Sequence, residues 1–468
     1  MLLHGLRAES PMSGLDRRNL GPLQVLAQSI SAAAPSAAMA AAPAVAAANA
    51  GTGVLWSFLA ATVLALLIGL CIAQFTRRMA AAGSLYSLTA KGLGPVGGFA
   101  GGWALVIGYA LLAMAALAGS GLYLRDLLDR AGVSTGWGVV AAVVVVLGGA
   151  AAVLVLRGVR LSAQVVLVTE ALSITMMLVV FGLLLGRTGP SLAAFGMDHG
   201  LSGTVAGMLP ALGAFIGFEA GASFGVEARR PFQSVPRAVQ VTAALCGVLY
   251  LVAAYTQVVG LRGALAGQVE PVMTLAALQQ VPWLSYLLDV GIAGSFFACV
   301  LATTSALVRV LLSMGREGVL PARFGLTHRR FHTPHVAIAI TVPVIVAVPV
   351  LLLAVGAVPQ QMFVALLNIA VFGYLIAYLL VCVAAPVFLH RIGELTRGAV
   401  AAAAVTSVAL LAALVTFTVS AVDGWYPVVF AALAVCGACW FAWARPHRLP
   451  AVGIYDETTE ADVLDGRS

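Results

Sequence analysis

The sequence predicts an all-α integral membrane protein that crosses the bilayer many times. Three observations carry this. Of its 468 residues, 61% are hydrophobic and 9% are charged, with a mean hydropathy of +1.03; soluble domains carry about 25% charged residues. The apolar residues gather into long continuous runs, which suit spanning helices of ~20 residues rather than the alternating strands of a barrel. The charged residues collect in short clusters between those runs.

In chain order, residues 1–22 (MLLHGLRAESPMSGLDRRNLGP) are polar. A cleavable signal peptide needs an apolar run near its start, so this segment is expected to be retained as a cytoplasmic extension. Twelve apolar runs follow, at 23–48, 54–75, 97–122, 137–156, 163–186, 207–226, 238–260, 285–308, 335–355, 361–389, 399–420 and 426–444. Each is read as one transmembrane helix. Residues 445–468 are polar and end in an acidic stretch (YDETTEADVLDGRS), which is expected to form a flexible cytoplasmic tail.

The loops orient the bundle. Of the 25 Lys and Arg residues, only Arg125, Arg130, Arg187 and Arg262 fall on one side of the alternation, leaving 21 on the other. Basic loops stay in the cytoplasm, so both termini are expected there, in the plasma membrane. The formal charge of +7 is spread through these short loops and matches anionic lipid rather than nucleic acid. All six cysteines (Cys71, Cys246, Cys299, Cys382, Cys436 and Cys439) lie in or beside apolar runs. They read as packing residues, not as a disulfide framework or metal set.

Two runs look interrupted. The first contains SISAAAPSAAMAAAPAV, residues 29–45, with Pro35 at mid-membrane. Proline removes a backbone donor and obstructs a helical bond, and the surrounding serines and alanines let a ligand approach the backbone. The competing reading is a kinked helix packed tightly through small residues. The sixth run contains PALGAFIGFEAGASFGVE, residues 210–227. Gly213, Gly217, Gly221 and Gly225 recur at one-turn spacing, which a packing stripe also explains. Glu219 among them goes beyond packing, because an intramembrane carboxyl is costly and marks a pathway or site.

The first and sixth runs are an odd number of helices apart and cross in opposite directions. Inverted-repeat transporters hold substrate where two such broken helices meet. The N–H groups of a half-helix suit a carboxylate, and unwound carbonyls suit an ammonium. An amino acid offers both. Glu170 in the fifth run is a second deep acid, and an acid that is costly to ionise suits proton uptake and release. Asp289 lies near the outer end of the eighth run and reads equally well as a wetted helix-end group.

The sequence resembles the amino acid–polyamine–organocation (APC) permeases. FIGFEAGASFGVEARRPFQSVPRAV, residues 215–239, is similar to that family's sixth helix and following cytoplasmic loop. ATTSALVRVLLSMGREGVLP, residues 302–321, is similar to its eighth-helix exit, and His332-Thr333-Pro334 to the start of helix nine. FGYLIAYLLVCVAAPVFL, residues 372–389, is similar to helix ten. The resemblance implies a LeuT-type inverted 5+5 repeat with discontinuous helices 1 and 6. Residues 23–186 would form the first repeat, 207–389 the second, and 399–444 two peripheral helices. It implies that substrate meets Ala33, Pro35, Ser36 and Ala37 in the first break, and Gly213, Phe215, Ile216 and Gly217 in the sixth.

Two positions depart from the family. A G-x-G is usual at the first break, where this chain has Pro35-Ser36-Ala37. Pro35 cannot donate a hydrogen bond, while Ser36 and Ala37 can. Many members place a sodium-replacing lysine in the fifth helix; Glu170 lies in that stretch here. Glu219 and Glu170 are therefore the proton-coupling candidates.

The expected function is a secondary active permease for amino acids or related amines, working by proton symport, with exchange as the alternative. A non-transporting sensor is disfavoured because the termini are too short for an output domain. A channel would need a filter or charged ring, and an enzyme would need a nucleophile elbow, phosphate loop or metal pair. None is legible, so no cofactor is expected.

Overall fold

The computed structural model describes residues 10–444 and 452–457, except 134, 262–263, 269, 282 and 422–423. Every long element in it is a helix. They are α1 (Pro22–Ala32), α2 (Pro35–Ala50), α3 (Val54–Thr76), α4 (Leu85–Arg130), α5 (Trp137–Leu156), α6 (Val159–Thr188), α7 (Gly200–Gly213), α8 (Pro231–Leu261), α9 (Pro271–Leu278), α10 (Leu284–Arg316), α11 (His335–Ala354), α12 (Pro359–Arg391), α13 (Arg397–Ser420) and α14 (Tyr426–Ala444). Among the described residues, ten helical stretches are long and apolar enough to cross a membrane. The stretch Pro22–Thr76 holds two of the expected runs, and the sixth run is broken into pieces each too short to be counted.

Proline sets several helix starts, at Pro22, Pro35, Pro271 and Pro359. Its fixed φ suits the first turn, where its missing N–H costs nothing. Pro43 inside α2 cannot bond back to the Met39 carbonyl. Gln257 on α8 takes that carbonyl with its side-chain amide at 2.7 Å, so the freed backbone group is satisfied between helices. α4 starts well before the expected run at 97–122 and kinks at Gly94, with φ 76°.

α4, α10 and α12 form the centre, and α13 and α14 pack on its outside. The apolar window of α10 is 94% buried and that of α14 is 17% buried. Val146, Val168, Val408 and Trp443 are among the apolar side chains left outward-facing, as a lipid-facing surface requires.

The loops separate into two ends. One end gathers the segment before α1, the α3–α4 loop, the exit of the sixth run, the end of α10 and the α12–α13 loop. There Arg18 and Leu20 exchange backbone bonds with residues 226–229, Arg316 donates to the Pro11 and Ser13 carbonyls, and Arg78 pairs with Glu394. The other end holds Thr52 on Asp198, Arg187 on the Gln279 carbonyl, and Arg130 on Asp289. This grouping of loops is the one that the basic residues mark in the sequence.

Three expectations change. Arg309, counted with a loop, lies inside α10, 2% exposed, and is neutralised by Glu227. Asp289 is fully buried and paired with Arg130 at 2.9 Å rather than wetted. The described part of the C-terminal tail, residues 452–457, packs against the basic end instead of standing free; Arg445, Arg448 and Arg467 lie outside the described residues.

Candidate functional site: the paired breaks of the first and sixth runs

α1 stops at Ala32, and α2 restarts at Pro35. Between them Ala34 takes a left-handed conformation, φ 45° and ψ 57°, at a cost of roughly 1–2 kcal/mol for a residue with a Cβ. The first helical bond of α2 runs from the Ala38 N–H to the Ala34 carbonyl, 3.0 Å. The N–H groups of Ser36 and Ala37 therefore precede the hydrogen-bonded ladder. The Ser36 hydroxyl is buried and has no partner among the described residues. This is the positive end of a half-helix, in the interior of the protein.

The sixth run breaks where α7 ends at Gly213. Residues 214–219 are turns, and Ala220–Phe224 is a short 3₁₀ segment. The four glycines therefore do not form one continuous helical stripe. Gly217 has φ +91°, and a Cβ there would sit 2.6 Å from the Ala32 carbonyl oxygen. Only glycine lets the two breaks meet this closely. Ser29 of α1 donates to the Phe218 carbonyl, and the Cys299 thiol of α10 donates to that of Ala32 at 3.2 Å.

Of the residues singled out in the sequence, Ala33, Pro35, Ser36, Ala37 and Gly217 line or flank this junction. Phe215 instead turns its ring to Tyr250 of α8, 5.0 Å away edge to face, and Tyr250 donates to the Ala214 carbonyl at 2.7 Å. Ile216 is buried. Gly213 closes α7, with no atom near where its Cβ would stand.

Glu219 is fully buried. The Tyr109 hydroxyl of α4 donates to one carboxylate oxygen at 2.8 Å. The Tyr378 hydroxyl of α12 donates to the other and accepts the Gly217 N–H at 3.1 Å. The acid thus joins α4, α12 and the sixth-run break. Tyr374 packs edge to face on Tyr109 at 5.6 Å, and its buried hydroxyl has no partner among the described residues. The sequence marks Tyr109, Tyr250, Tyr255, Tyr374 and Tyr378 as side chains that could line a path but does not choose among them, because buried tyrosines usually just satisfy their hydroxyls on a neighbour.

Glu170 is not part of this network. It lies on α6, where it accepts from Ser295 of α10 at 3.0 Å, with Ser31 of α1 beside it and its second oxygen unpartnered among the described residues. Glu219 thus joins α4 and α12 to the sixth-run break, while Glu170 joins α6 to α10 beside α1. At the basic end, Glu227 and Arg309 make a two-pronged pair at 2.5 and 2.9 Å, and Arg309 also lies over the Phe224 ring. This pair ties the exit of the sixth run to α10. Among the described residues, no group of His, Cys, Asp and Glu has a metal-binding arrangement, and the six cysteines are free. Cys436 and Cys439 are exposed on α14 rather than packed.

Two interrupted crossings that meet backbone to backbone inside a helical membrane protein are the arrangement of the LeuT fold. Solved structures agree on the fold. A manganese transporter from Eremococcus coleocola superposes with a TM-score of 0.55, covering 90% of this chain and 94% of that one at 14% identity. The chain belongs to the amino acid permease family, whose model matches residues 20–444, and so to the APC superfamily. Relatives include the branched-chain amino acid permease BcaP of Bacillus subtilis, 26% identical over 62% of this chain and 66% of that protein. The methylthioribose transporter of the same organism is 26% identical over 62% of this chain and 65% of its own length. The cationic amino acid transporter 3 of Arabidopsis thaliana is 25% identical over 61% of this chain, and half of its own length is spanned. These matches thus span from half to just under two thirds of the relatives' own length.

Proposed function

We propose that this chain is a secondary active permease that moves amino acids or related amines across the plasma membrane by alternating access, coupled to protons. One observation carries the substrate class: the start of α2 offers the N–H groups of Ser36 and Ala37 and the Ser36 hydroxyl, beside the Ala32 carbonyl and the Gly217 backbone. Donors for a carboxylate and acceptors for an ammonium lie in one place, in the orientation that the helix dipole favours. Glu219 and Glu170 support proton coupling, since both are buried carboxyls that adjoin the breaks without a fixed cation partner among the described residues. The excess of basic residues at one end supports a cytoplasmic location for that end and for both termini.

Relatives differ in the substrates their names carry, which gives the assay its panel. In proteoliposomes with an imposed pH gradient, a branched-chain amino acid, a cationic amino acid and methylthioribose are offered in turn. Accumulation that collapses with the gradient supports symport. Flux that needs only a counter-substrate inside supports exchange. No binding or flux of any amino acid or amine sinks the proposal.

A further inference from the structure

We propose that the end of the bundle assigned to the cytoplasm carries a peptide site for the chain's own acidic C-terminal segment, and that occupation of this site holds that end closed. The inference rests on the alternating-access reading above.

The segment is held by backbone and side chains together. The N–H groups of Gly453 and Ile454 donate to one oxygen of Glu317 at 2.9 and 2.8 Å. The other oxygen takes the Tyr86 hydroxyl. With the segment in place Glu317 is 3% exposed, and the segment's N–H groups replace the water that would otherwise donate to that oxygen. The Asp456 N–H donates to the Ala80 carbonyl at 2.8 Å, and its carboxylate takes Ser10 at 2.6 Å and Arg17 at 3.0 Å. Lys91 lies 4.6 Å over the Tyr455 ring. Ile454 packs on a small apolar cluster of Met12, Leu15, Ala82, Val226 and Leu312. Gly453, at φ +89°, comes close enough to Ala90 that a Cβ would stand 3.1 Å from its methyl.

These contacts come from four separate pieces of the chain: the segment before α1, the α3–α4 region, the exit of the sixth run and the end of α10. The same pieces seal this end. Leu20 bridges to Ala228, and Arg316 holds the Pro11 and Ser13 carbonyls. α1 follows directly from the sealed segment, so α1 cannot swing away from the sixth run without parting what residues 452–457 join. Docked, the segment adds its bonds to the closed state alone, and a ligand that binds one of two states shifts the population toward it.

The test reads opening directly. In a protein with its six cysteines replaced by alanine, Val25→Cys places a thiol on buried α1, behind the seal. An impermeant maleimide is applied to the cytoplasmic face of oriented vesicles. Deleting residues 452–468 should speed labelling at least tenfold, since several hydrogen bonds at about 0.5–1.5 kcal/mol each leave one of two states. A synthetic peptide of residues 452–468 should restore the slow rate. Asp456→Arg, which touches no transmembrane helix, should reproduce the deletion and carries the test where the deletion fails to fold. Labelling at the full-length rate in both variants, or no slowing by the peptide, overturns the proposal. Because labelling needs no substrate, a labelling shift without any flux would spare this site and count against the proposed function instead.

Discussion

The Tyr378 hydroxyl donates to Glu219 from a helix 159 residues further along the chain, and the same hydroxyl accepts the N–H of Gly217. One phenol therefore holds both the acid and the backbone break of the sixth run. Anything that changes the state of Glu219 is felt at the position where Gly217 meets Ala32.

Glu219→Gln keeps the shape and removes the ionisation. It should abolish gradient-driven accumulation while leaving substrate binding and counter-exchange. Tyr378→Phe removes the link to both partners and should cost about 1–3 kcal/mol of stability, read as a lower melting temperature in detergent. Wild-type accumulation and pH profile in Glu219→Gln would remove this acid from coupling and leave Glu170.

At the first break, Ser36→Leu should abolish binding by filling the space at the start of α2. Ser36→Ala loses one hydrogen bond and should weaken affinity about tenfold. Equilibrium binding of the transported substrate decides this: unchanged affinity in Ser36→Leu would mean that the site lies elsewhere.

Ala34 holds a left-handed backbone that glycine adopts freely. Ala34→Gly should relieve strain of roughly 1–2 kcal/mol, offset by about 0.4–1 kcal/mol of extra entropy in the unfolded chain. The net expectation is a neutral or slightly raised melting temperature. A drop of several degrees would show that the Ala34 methyl has a packing role of its own.

Arg309→Ala leaves Glu227 buried and unpaired, which should cost about 3–5 kcal/mol. Replacing both partners, as Glu227→Gln with Arg309→Met, should recover most of the loss, because neither charge is then stranded. Thermal unfolding of the two single variants and the double variant measures the coupling. Equal losses in the single and double variants would contradict a paired role.

Much of this protein was legible without coordinates. Apolar run length set the helices, because lipid demands that each crossing satisfy its own backbone. The arginine distribution sorted the loops into the two ends that the structure also brings together. Pro35 located the first break, and the glycines around Glu219 located the sixth. These are local properties, read from a short stretch of chain at a time. The partners of the buried charges were not legible. Of the ten tyrosines, five within apolar runs could line a path, and nothing local distinguishes Tyr109 and Tyr378 from Tyr250, Tyr255 and Tyr374. Arg309 sits beside basic loop residues in sequence and meets Glu227 only in space. The acidic tail read as free chain because its composition cannot bury a core, yet part of it finds donors and acceptors on four other segments. Hydrophobic periodicity says which residues leave water. Which polar groups then satisfy one another depends on how the helices cross, and only the tertiary structure decides that.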